Sequence, residues 1–375
     1  MASSPDAPDE IETRVTALLD ETIAEGVCSA ASVAVGDQTG ERMWWRGRTR
    51  SVPDAGPPIE LDTPYDLASV TKPMATAAIA MALISEGRLA LDDRASRWLP
   101  VHRDITVAHL LGHAAGYPAH LELFRRIWAG DLGGARDPRT ALMTMAMATP
   151  IERPPGVAAT YSDLGFITLG ALLERAGGAS LAELHAAFVA QPLGLRDTGF
   201  VDLLGERRSF ATPPPATEHD SRRGLVAGEV HDENCHAGGG IAGHAGLFAP
   251  LADVATFARA MAGAPHHGAG RIDAAVAEAC FSSSAAPDTS WRLGWDTPSR
   301  EPGVSHAGDA WPREHAVGHL GFTGTSVWID HARGRWVVLL TNRVHPSRSR
   351  PEAARIKDLR RAVGDLAWAL LERGL

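Results

Sequence analysis

The sequence predicts an α+β fold in which one antiparallel β-sheet is assembled from both ends of the chain. A helical pattern and a hairpin pattern open the sequence, and a hairpin pattern and a helical pattern close it. Between them, from about residue 94 to residue 225, Ala-rich apolar runs are broken by Gly and Pro, as in helices joined by loops. We therefore expect a sheet domain formed by residues 1–66 and 226–375, and a mainly helical domain formed by residues 67–225.

The N-terminal elements are predicted to be a helix and two strands. The helix ends at Gly26 and is indicated by apolar residues at helical spacing: Ile11, Val15, Leu18, Leu19 and Ile23. Residues 28–36 and 42–47 then predict two strands on either side of a turn at 36–40, which makes a β-hairpin.

The middle and the end of the chain continue this pattern. Five helices are predicted in the middle region, at 105–112, 121–129, 139–147, 164–176 and 180–190. A Gly- and His-rich loop over 226–249 precedes a helix over 251–263. A second hairpin pairs 325–329 with 336–340. The last helix carries an apolar stripe of Ile356, Leu359, Val363, Leu366 and Leu370.

Composition limits the classes of protein to consider. The formal net charge of −9 argues against a nucleic-acid partner and against an anionic membrane surface. Three widely spaced cysteines fit a reducing compartment and indicate neither a disulfide framework nor a zinc knuckle. We see no signal peptide and no apolar run as long as a membrane span, so we expect a cytoplasmic protein. Walker and dinucleotide motifs are absent from the sequence, and we expect no metal and no other cofactor.

The stretch 65–84 is the one around which we expect the site to form. Ser69 opens a run of small and apolar residues, which predicts a buried helix, and Lys72 follows three residues later. Residues three apart share a helix face, so the lysine amine can reach the serine hydroxyl. The unpaired N–H groups and the partial positive charge of a helix N-terminus favour an anion that develops beside Ser69.

Lys72 is a candidate base for Ser69. A serine hydroxyl becomes a good nucleophile when a nearby base takes its proton. Lysine can be that base if desolvation lowers its pKa, whereas arginine stays protonated in proteins. The chain has only two lysines among its 36 basic residues, Lys72 and Lys357. We expect burial to lower the pKa of Lys72 by more than the nearby Asp163 raises it.

Two later stretches supply further candidates. Tyr161 follows a Pro-Gly turn and precedes a helical run, so it is a candidate proton relay, while Asp163 could cap that helix. The segment 318–324 has three glycines and leads into a strand, so a backbone edge there could approach a ligand and offer an N–H to an oxyanion. The same patterns also have explanations without catalysis: Tyr161 could pack in the core, Asp163 could cap the helix, and 318–324 could be a bulged strand with a turn.

In their order and separations, these stretches resemble the serine β-lactamase and penicillin-binding-protein superfamily. The resemblance is greatest to its class C-like branch of β-lactamases, D-aminopeptidases, D-alanyl carboxypeptidases and esterases. The family motifs Ser-x-x-Lys, Tyr-x-Asn and Lys-Thr-Gly or His-x-Gly stand here as Ser69-Val70-Thr71-Lys72, Tyr161-Ser162-Asp163 and His319-Leu320-Gly321. The segments 105–118, 228–234, 243–248 and 321–325 also look similar to stretches of this branch.

The resemblance implies a β-lactamase/transpeptidase-like fold, with helices on both faces of the sheet and an active site between the two domains. Ser69 is implied to accept the acyl group, while Lys72 and Tyr161 share the general acid and base steps. The N–H groups of Ser69 and Phe322 are implied to form the oxyanion hole. The residues implied to bind substrate are Asp163, His319 and Gly321.

Two of these positions depart from the common family pattern. Asp163 stands where Asn is frequent; an ionised Asp cannot donate to a substrate amide, but it can hold Lys72 charged or orient it. His319 replaces the lysine of the lactamase form, and a neutral histidine binds a substrate carboxylate only weakly. Both departures argue against efficient penicillin hydrolysis, and both also occur in the esterase-like part of the family.

We therefore expect a serine hydrolase that forms a covalent acyl-enzyme with a small-molecule ester, amide or lactam. Two other classes stay open. The same fold could serve a binding or sensor protein that is acylated slowly or not at all. The histidines between residues 231 and 244 could instead hold the metal of a metal-dependent hydrolase. The sequence does not predict the oligomeric state.

Overall fold

The computed structural model describes residues 7–375, with side chains from residue 10 onward. The strands are β1 (Ala30–Gly36), β2 (Glu41–Gly47), β3 (Pro64–Asp66), β4 (Gly199–Phe200), β5 (Glu218–Asp220), β6 (Gly224–Val226), β7 (Leu247–Pro250), β8 (Ala316–Leu320), β9 (Ser326–Asp330) and β10 (Arg335–Thr341). The α-helices are α1 (Ala7–Ala24), α2 (Ala78–Ser85), α3 (Val107–Leu111), α4 (Leu123–Trp128), α5 (Pro138–Ala148), α6 (Asp163–Gly177), α7 (Leu181–His185), α8 (Gln191–Leu193), α9 (Glu233–Ala237), α10 (Leu251–His267), α11 (Ala274–Ser282) and α12 (Ile356–Arg373).

The largest sheet has five antiparallel strands in the order β2–β1–β10–β9–β8. β1, from the start of the chain, pairs with β10, from its end, over the register from Ala31–Thr341 to Gly36–Trp336. The prediction of one antiparallel sheet built from both ends is therefore confirmed. Two smaller sheets join β3, β7 and β4, and β5 with β6. The predicted domain boundaries stay predictions.

Helices cover both faces of this sheet. On β1, Ala31 and Val33 pack with α1 and α12, whereas Ala30 and Ala34 point to the other side and join the core around α10. Fully burying a side chain such as Val33 contributes about 1.5–3 kcal/mol. Because a one-residue slip would exchange the two faces, this two-sided burial fixes the strand register.

The predicted helices of the middle region are confirmed as α3 to α7, with boundaries shifted by a few residues. The loop predicted over 226–249 is wrong in part, because it contains α9 and the start of β7. Asp232 begins α9 as its N-cap and accepts a hydrogen bond from the Cys235 N–H at 2.7 Å. Strand β8 was not predicted as a separate strand. The helix predicted over 251–263 is confirmed as α10, which continues to His267.

The helical segment that carries Ser69 begins with a 3-10 turn at Ala68–Val70, continues as a π-helix at Lys72–Ala77 and ends as α2. Within the described chain, the stretch Ala68–Ser85 is long and apolar enough to cross a membrane, so the expectation that no apolar run reaches that length is wrong. Its residues are 83% buried inside the protein, as in the core helix of a globular protein.

Candidate active site

A strained turn presents Ser69. Ala68 has φ +47°, a backbone conformation that non-glycine residues rarely adopt. The Asp66 carboxylate holds this turn by accepting a hydrogen bond from the Ala68 N–H at 2.8 Å. The first hydrogen bond of the turn runs from the Val70 N–H to the Leu67 carbonyl at 3.0 Å. The N–H of Ser69 precedes it and is therefore free of the helical pattern.

Lys72 lies three residues on, fully buried, and its side chain points at Ser69. Its Nζ donates to Ser69 Oγ at 2.9 Å, to Asp163 Oδ1 at 2.8 Å and to the carbonyl of His244 at 3.1 Å. Three acceptors match the three hydrogens of an ammonium group. The predicted proximity of lysine and serine is therefore present in the structure.

The charge state of Lys72 differs from our expectation. Burial lowers the pKa of the amine, but the charge of Asp163 at 2.8 Å and the contact with Tyr161 outweigh burial and raise this pKa above its usual value. Burial likewise raises the pKa of Asp163, and the charge of Lys72 and the contact with His120 hold that pKa well below its usual range. The expectation that burial wins at Lys72 is wrong, because the pair is buried together and each charge stabilises the other.

Tyr161 reaches the same serine from the other side. Its hydroxyl donates to Ser69 Oγ at 2.7 Å, and the Lys72 amine lies 4.8 Å from the centre of its ring. Trp291 stacks on the phenol at 5.2 Å between ring centres. His113 supports the loop, because its Nδ1 accepts the Ser162 N–H at 3.1 Å. Burial raises the pKa of Tyr161, so the phenol is neutral at physiological pH.

The N-cap of α6 differs from the residue that the sequence suggested. Ser162, not Asp163, is the N-cap, and its Oγ accepts the Gly165 N–H at 3.2 Å. Asp163 is the first residue of the helix, and its carboxylate is free to face Lys72 and His120, whose Nδ1 lies 3.3 Å from Oδ2. Both oxygens of Asp163 therefore have protein partners, and its contact with substrate stays a prediction.

His319 is buried near the end of β8, and its ring packs beside the stacked pair, 6.0 Å from the ring centre of Tyr161 and 5.8 Å from that of Trp291. Burial and the charge of Lys72 lower the pKa of His319 to about 3, so its ring is neutral. Its Nδ1 lies 2.8 Å from the Leu320 carbonyl. The ring fills space beside the serine but supplies no positive charge for a substrate carboxylate.

The turn after β8 is docked on the backbone just before Ser69. Thr323 Oγ1 donates to the Asp66 carbonyl at 2.8 Å, and Thr325 Oγ1 donates to the Leu67 carbonyl at 2.9 Å. A Cβ at Gly321 would lie 1.9 Å from Thr325 Oγ1 and 2.5 Å from the Leu67 carbonyl, so only glycine fits there. These contacts hold the Gly321–Phe322 peptide beside the serine turn.

A cavity of about 540 Å³ opens onto these groups. Its wall contains all the candidate residues except the buried Lys72: Ser69, Tyr161, Asp163, His319, Gly321 and Phe322. Apart from His319, the ionisable residues of its wall form two sets, an acidic and histidine set of His120, His231, Asp163, Asp232, Glu233 and Asp296, and an arginine set of Arg343, Arg348 and Arg360.

The histidines of residues 231–244 do not converge on one point. His231 Nε2 lies 2.9 Å from Glu218, and His244 Nε2 lies 2.8 Å from Asp232. His236 lies 3.5 Å from a different carboxylate, that of Glu229. Within the described part of the chain, no group of three or more His, Cys, Asp or Glu side chains is arranged to hold a metal ion. His244 instead contributes its backbone carbonyl to Lys72.

Several supporting residues escaped the sequence analysis: Asp66, Trp291 and Arg360. Asp66 was missed because its role depends on the positive φ of Ala68, two residues later, and nothing in the sequence shows that backbone conformation. In the structure its carboxylate is buried. Trp291 belongs to an irregular segment without periodicity. Arg360 lies in an amphipathic helix, where an arginine is usually assigned to the solvent side.

The chain matches a known protein family over most of its length, and it has a named relative. The family model described as Beta-lactamase matches residues 16–361. A protein of Escherichia coli (strain K12), provisionally named a D-alanyl-D-alanine carboxypeptidase, is 30% identical over 313 residues, which cover 77% of this chain and 71% of that protein.

Solved structures of other proteins have a similar fold. EstCE1, described as a hydrolase with promiscuous acyltransferase activity, has a TM-score of 0.69 and 22% identity, covering 96% of this chain and 99% of EstCE1. The octameric penicillin-binding protein homologue from Pyrococcus abyssi has a TM-score of 0.70 and 19% identity, covering 95% of this chain and 77% of that one. At these identities the likeness supports the fold alone.

Proposed function

The chain belongs to the beta-lactamase family, and on that premise we propose that it is a serine hydrolase that works through an acyl-enzyme on Ser69. The observation that carries the proposal is the contact of Ser69 Oγ with Lys72 Nζ at 2.9 Å and with the Tyr161 hydroxyl at 2.7 Å, at the wall of an open cavity. Nucleophilic catalysis needs a group within hydrogen-bond reach that can take the serine proton, and both side chains lie at that distance.

In the proposed reaction, Ser69 Oγ attacks the carbonyl carbon of an ester, amide or lactam, and its proton passes to the Lys72–Tyr161 relay. The carbonyl oxygen becomes an anion that accepts hydrogen bonds from the N–H groups of Ser69 and Phe322. In other enzymes one such donor contributes roughly 3–4 kcal/mol. The bond to the leaving group then breaks, and the leaving group takes a proton from the relay. Water releases the acyl group by the reverse proton path.

The relay must lose a proton before it can accept one from Ser69. Lys72 has a raised pKa because of Asp163, and Tyr161 has a raised pKa because of burial, with Asp163 adding to it. Either group can therefore be the base only in the fraction of molecules in which it is deprotonated. We propose that activity rises toward alkaline pH for this reason.

Replacing Asp163 by Asn is expected to move the rising limb of kcat/KM toward lower pH. The carboxylate raises the pKa of both Lys72 and Tyr161, so its removal lowers the pKa of whichever group accepts the proton. A base with a lower pKa is deprotonated at lower pH, which fixes the direction of the shift. The measurement is kcat/KM for a neutral ester from about pH 5 to pH 10.

The matched control for this profile is Asp131→Asn, which removes an exposed carboxylate that pairs with Arg126. Its profile should coincide with that of the wild-type protein. An Asp163→Asn limb at the wild-type position, or at higher pH, contradicts the assignment of the relay.

We also expect short-chain esters to be turned over with a higher kcat/KM than β-lactams. The reason is the neutral, buried ring of His319 in the place where the lactamase form of the family has a lysine. The test is a panel of p-nitrophenyl butyrate, nitrocefin and D-amino acid amides on the purified protein. A larger kcat/KM for nitrocefin than for the butyrate contradicts this expectation.

Peptides that end in D-alanine are a second candidate substrate class. The observation that favours them is Arg343, whose guanidinium lines the cavity and donates to the Phe322 carbonyl, and which forms no ion pair within residues 7–375. A peptide carboxylate could pair with it. Release of D-alanine from such a peptide, absent in the Ser69→Ala variant, is the test.

The same panel of substrates also tests the two other classes of protein, a sensor and a metal-dependent hydrolase. A sensor protein would release no more than one equivalent of product per protein molecule, whereas a hydrolase continues to turn over. A metal-dependent hydrolase would lose activity in a strong chelator, whereas the proposed serine hydrolase would keep it.

A further inference from the structure

Arg360 occupies an unusual place for an arginine. It lies on α12 with only 7% of its surface exposed, and its guanidinium reaches the turn after β8. There Nη2 donates to the Gly321 carbonyl at 2.7 Å and to the Thr325 carbonyl at 2.8 Å. Within residues 7–375 no carboxylate forms an ion pair with it, and its Nε is buried without a partner.

A buried cation without a counter-ion is expensive, and a neutral donor could satisfy the same two carbonyls at a lower cost. Burial and the charge of Arg343 lower the pKa of Arg360 to about 9, which still leaves it charged at neutral pH. The two hydrogen bonds alone therefore do not explain why a charged residue is buried at this position.

The explanation comes from the peptide that Arg360 contacts. The Gly321 carbonyl and the Phe322 N–H are the two ends of one planar peptide group. A cation at the carbonyl oxygen draws electron density toward that oxygen and makes the N–H at the other end a stronger donor. We propose that Arg360 is a positioning residue that acts through this peptide to strengthen the Phe322 N–H of the oxyanion hole.

A second cation acts on the next peptide of the same turn. Arg343 Nε donates to the Phe322 carbonyl at 2.7 Å, and its guanidinium lies 4.6 Å from the centre of the Phe322 ring. The two peptides that flank Phe322 are thus each held at their oxygen by an arginine without a counter-ion among the described residues. Both contacts fix the direction of the Phe322 N–H.

The inference rests on the proposed acyl-enzyme, so its test uses readouts that separate the two. The variants are Arg360→Met, which removes the charge, and Arg360→Lys, which keeps it. Arg361→Met is the matched control, because Arg361 is the next residue of the same helix and donates to a distant carbonyl, that of Gly303, at 2.9 Å. Each protein is assayed with a neutral p-nitrophenyl ester and with a boronic acid, which forms a tetrahedral adduct with a nucleophilic serine.

Arg360→Met is expected to lower kcat roughly 10-fold or more, short of the 10²–10³ that complete loss of an oxyanion donor costs, with KM little changed. Boronic acid affinity should fall by a similar factor, because the adduct oxygen occupies the oxyanion position. The infrared stretch of the acyl-enzyme carbonyl should move to higher wavenumber, since a weaker donor polarises it less. Arg360→Lys should retain most of kcat, and Arg361→Met should match the wild-type protein.

Three results would overturn the inference. An unchanged kcat and carbonyl stretch in Arg360→Met would show that the charge does not reach the oxyanion. A rise in KM confined to anionic substrates would show that Arg360 binds a substrate anion instead. Equal losses in the Lys and Met variants, with equal drops in thermal midpoint, would show that Arg360 only holds the turn. If Met at this position prevents folding, Arg360→Gln, which keeps a neutral donor and removes the charge, takes its place with the same expected losses in kcat and the same shift of the carbonyl stretch.

The result that refutes the proposed function differs from the results that refute the role of Arg360. A wild-type protein that forms no adduct on Ser69 refutes the acyl-enzyme itself, whereas a labelled wild-type protein with an insensitive Arg360→Met variant refutes only the role of the arginine.

Discussion

Replacing Ser69 by Ala is expected to abolish turnover and covalent labelling by a fluorophosphonate while the protein still folds. Ser69 Oγ is the acceptor of both Lys72 Nζ and the Tyr161 hydroxyl, so without it neither group has a nucleophile to activate. Removing the nucleophile of another serine hydrolase lowers kcat by about 10⁶-fold. The substitution deletes one partly buried hydroxyl that accepts two hydrogen bonds, so it should lower the free energy of unfolding by about 1–3 kcal/mol, less than the stability of a typical domain.

The measurements are ester turnover, the mass of the protein after fluorophosphonate treatment, and the thermal midpoint. Ser282→Ala is a suitable control, because this serine is exposed at the end of α11 and its hydroxyl donates to the Glu278 carbonyl in its own helix. It should retain full activity and labelling. Equal labelling of Ser69→Ala and the wild-type protein would mean that another residue is the nucleophile.

The part of the site that the sequence predicted best depends on short spacings. Ser69 and Lys72 are three residues apart in a helical segment, so local geometry alone brings them to 2.9 Å. Tyr161 reaches Ser69 across 92 positions of sequence, and its placement depends on tertiary contacts such as the one from Ser162 to His113. Its place between a Pro-Gly turn and a helical run made Tyr161 a candidate, and the order of the motifs then assigned it to the site.

The balance of charges at Lys72 could not be predicted in the same way. The sequence shows that Asp163 and Lys72 belong to neighbouring motifs, but the sign of the pKa shift depends on a distance of 2.8 Å and on burial of both groups. Burial and ion pairing act in opposite directions on the amine, and the sequence gives the size of neither effect. The expectation that burial wins failed for this reason.

Some of the fold escaped prediction for an equally physical reason. β8 is a short strand that contains Gly318 and His319, and its outer edge is bridged by Asp296 from an irregular segment. Such a strand has no clear alternation of polar and apolar residues. The strands β1 and β10 were predictable because packing on two sides requires continuous apolar runs.

Replacing Lys72 by Met is expected to remove both activity and stability, and a second substitution separates the two losses. Met fills the volume of the buried side chain but leaves the Asp163 carboxylate without its closest cation. Breaking a buried ion pair on one side typically costs about 3–5 kcal/mol. Loss of a residue in general acid or base catalysis costs about 10²- to 10⁴-fold in rate, and we expect a loss of that size for a neutral ester.

The double variant Lys72→Met with Asp163→Asn decides what the lysine does. It removes the unpaired carboxylate, so the thermal midpoint and the free energy of unfolding by urea should return most of the way to the wild-type values. Activity should stay low, because no cation and no amine then remains on Ser69 Oγ. If the double variant instead regains activity together with stability, Lys72 serves only to neutralise Asp163, and Tyr161 must carry the proton without it.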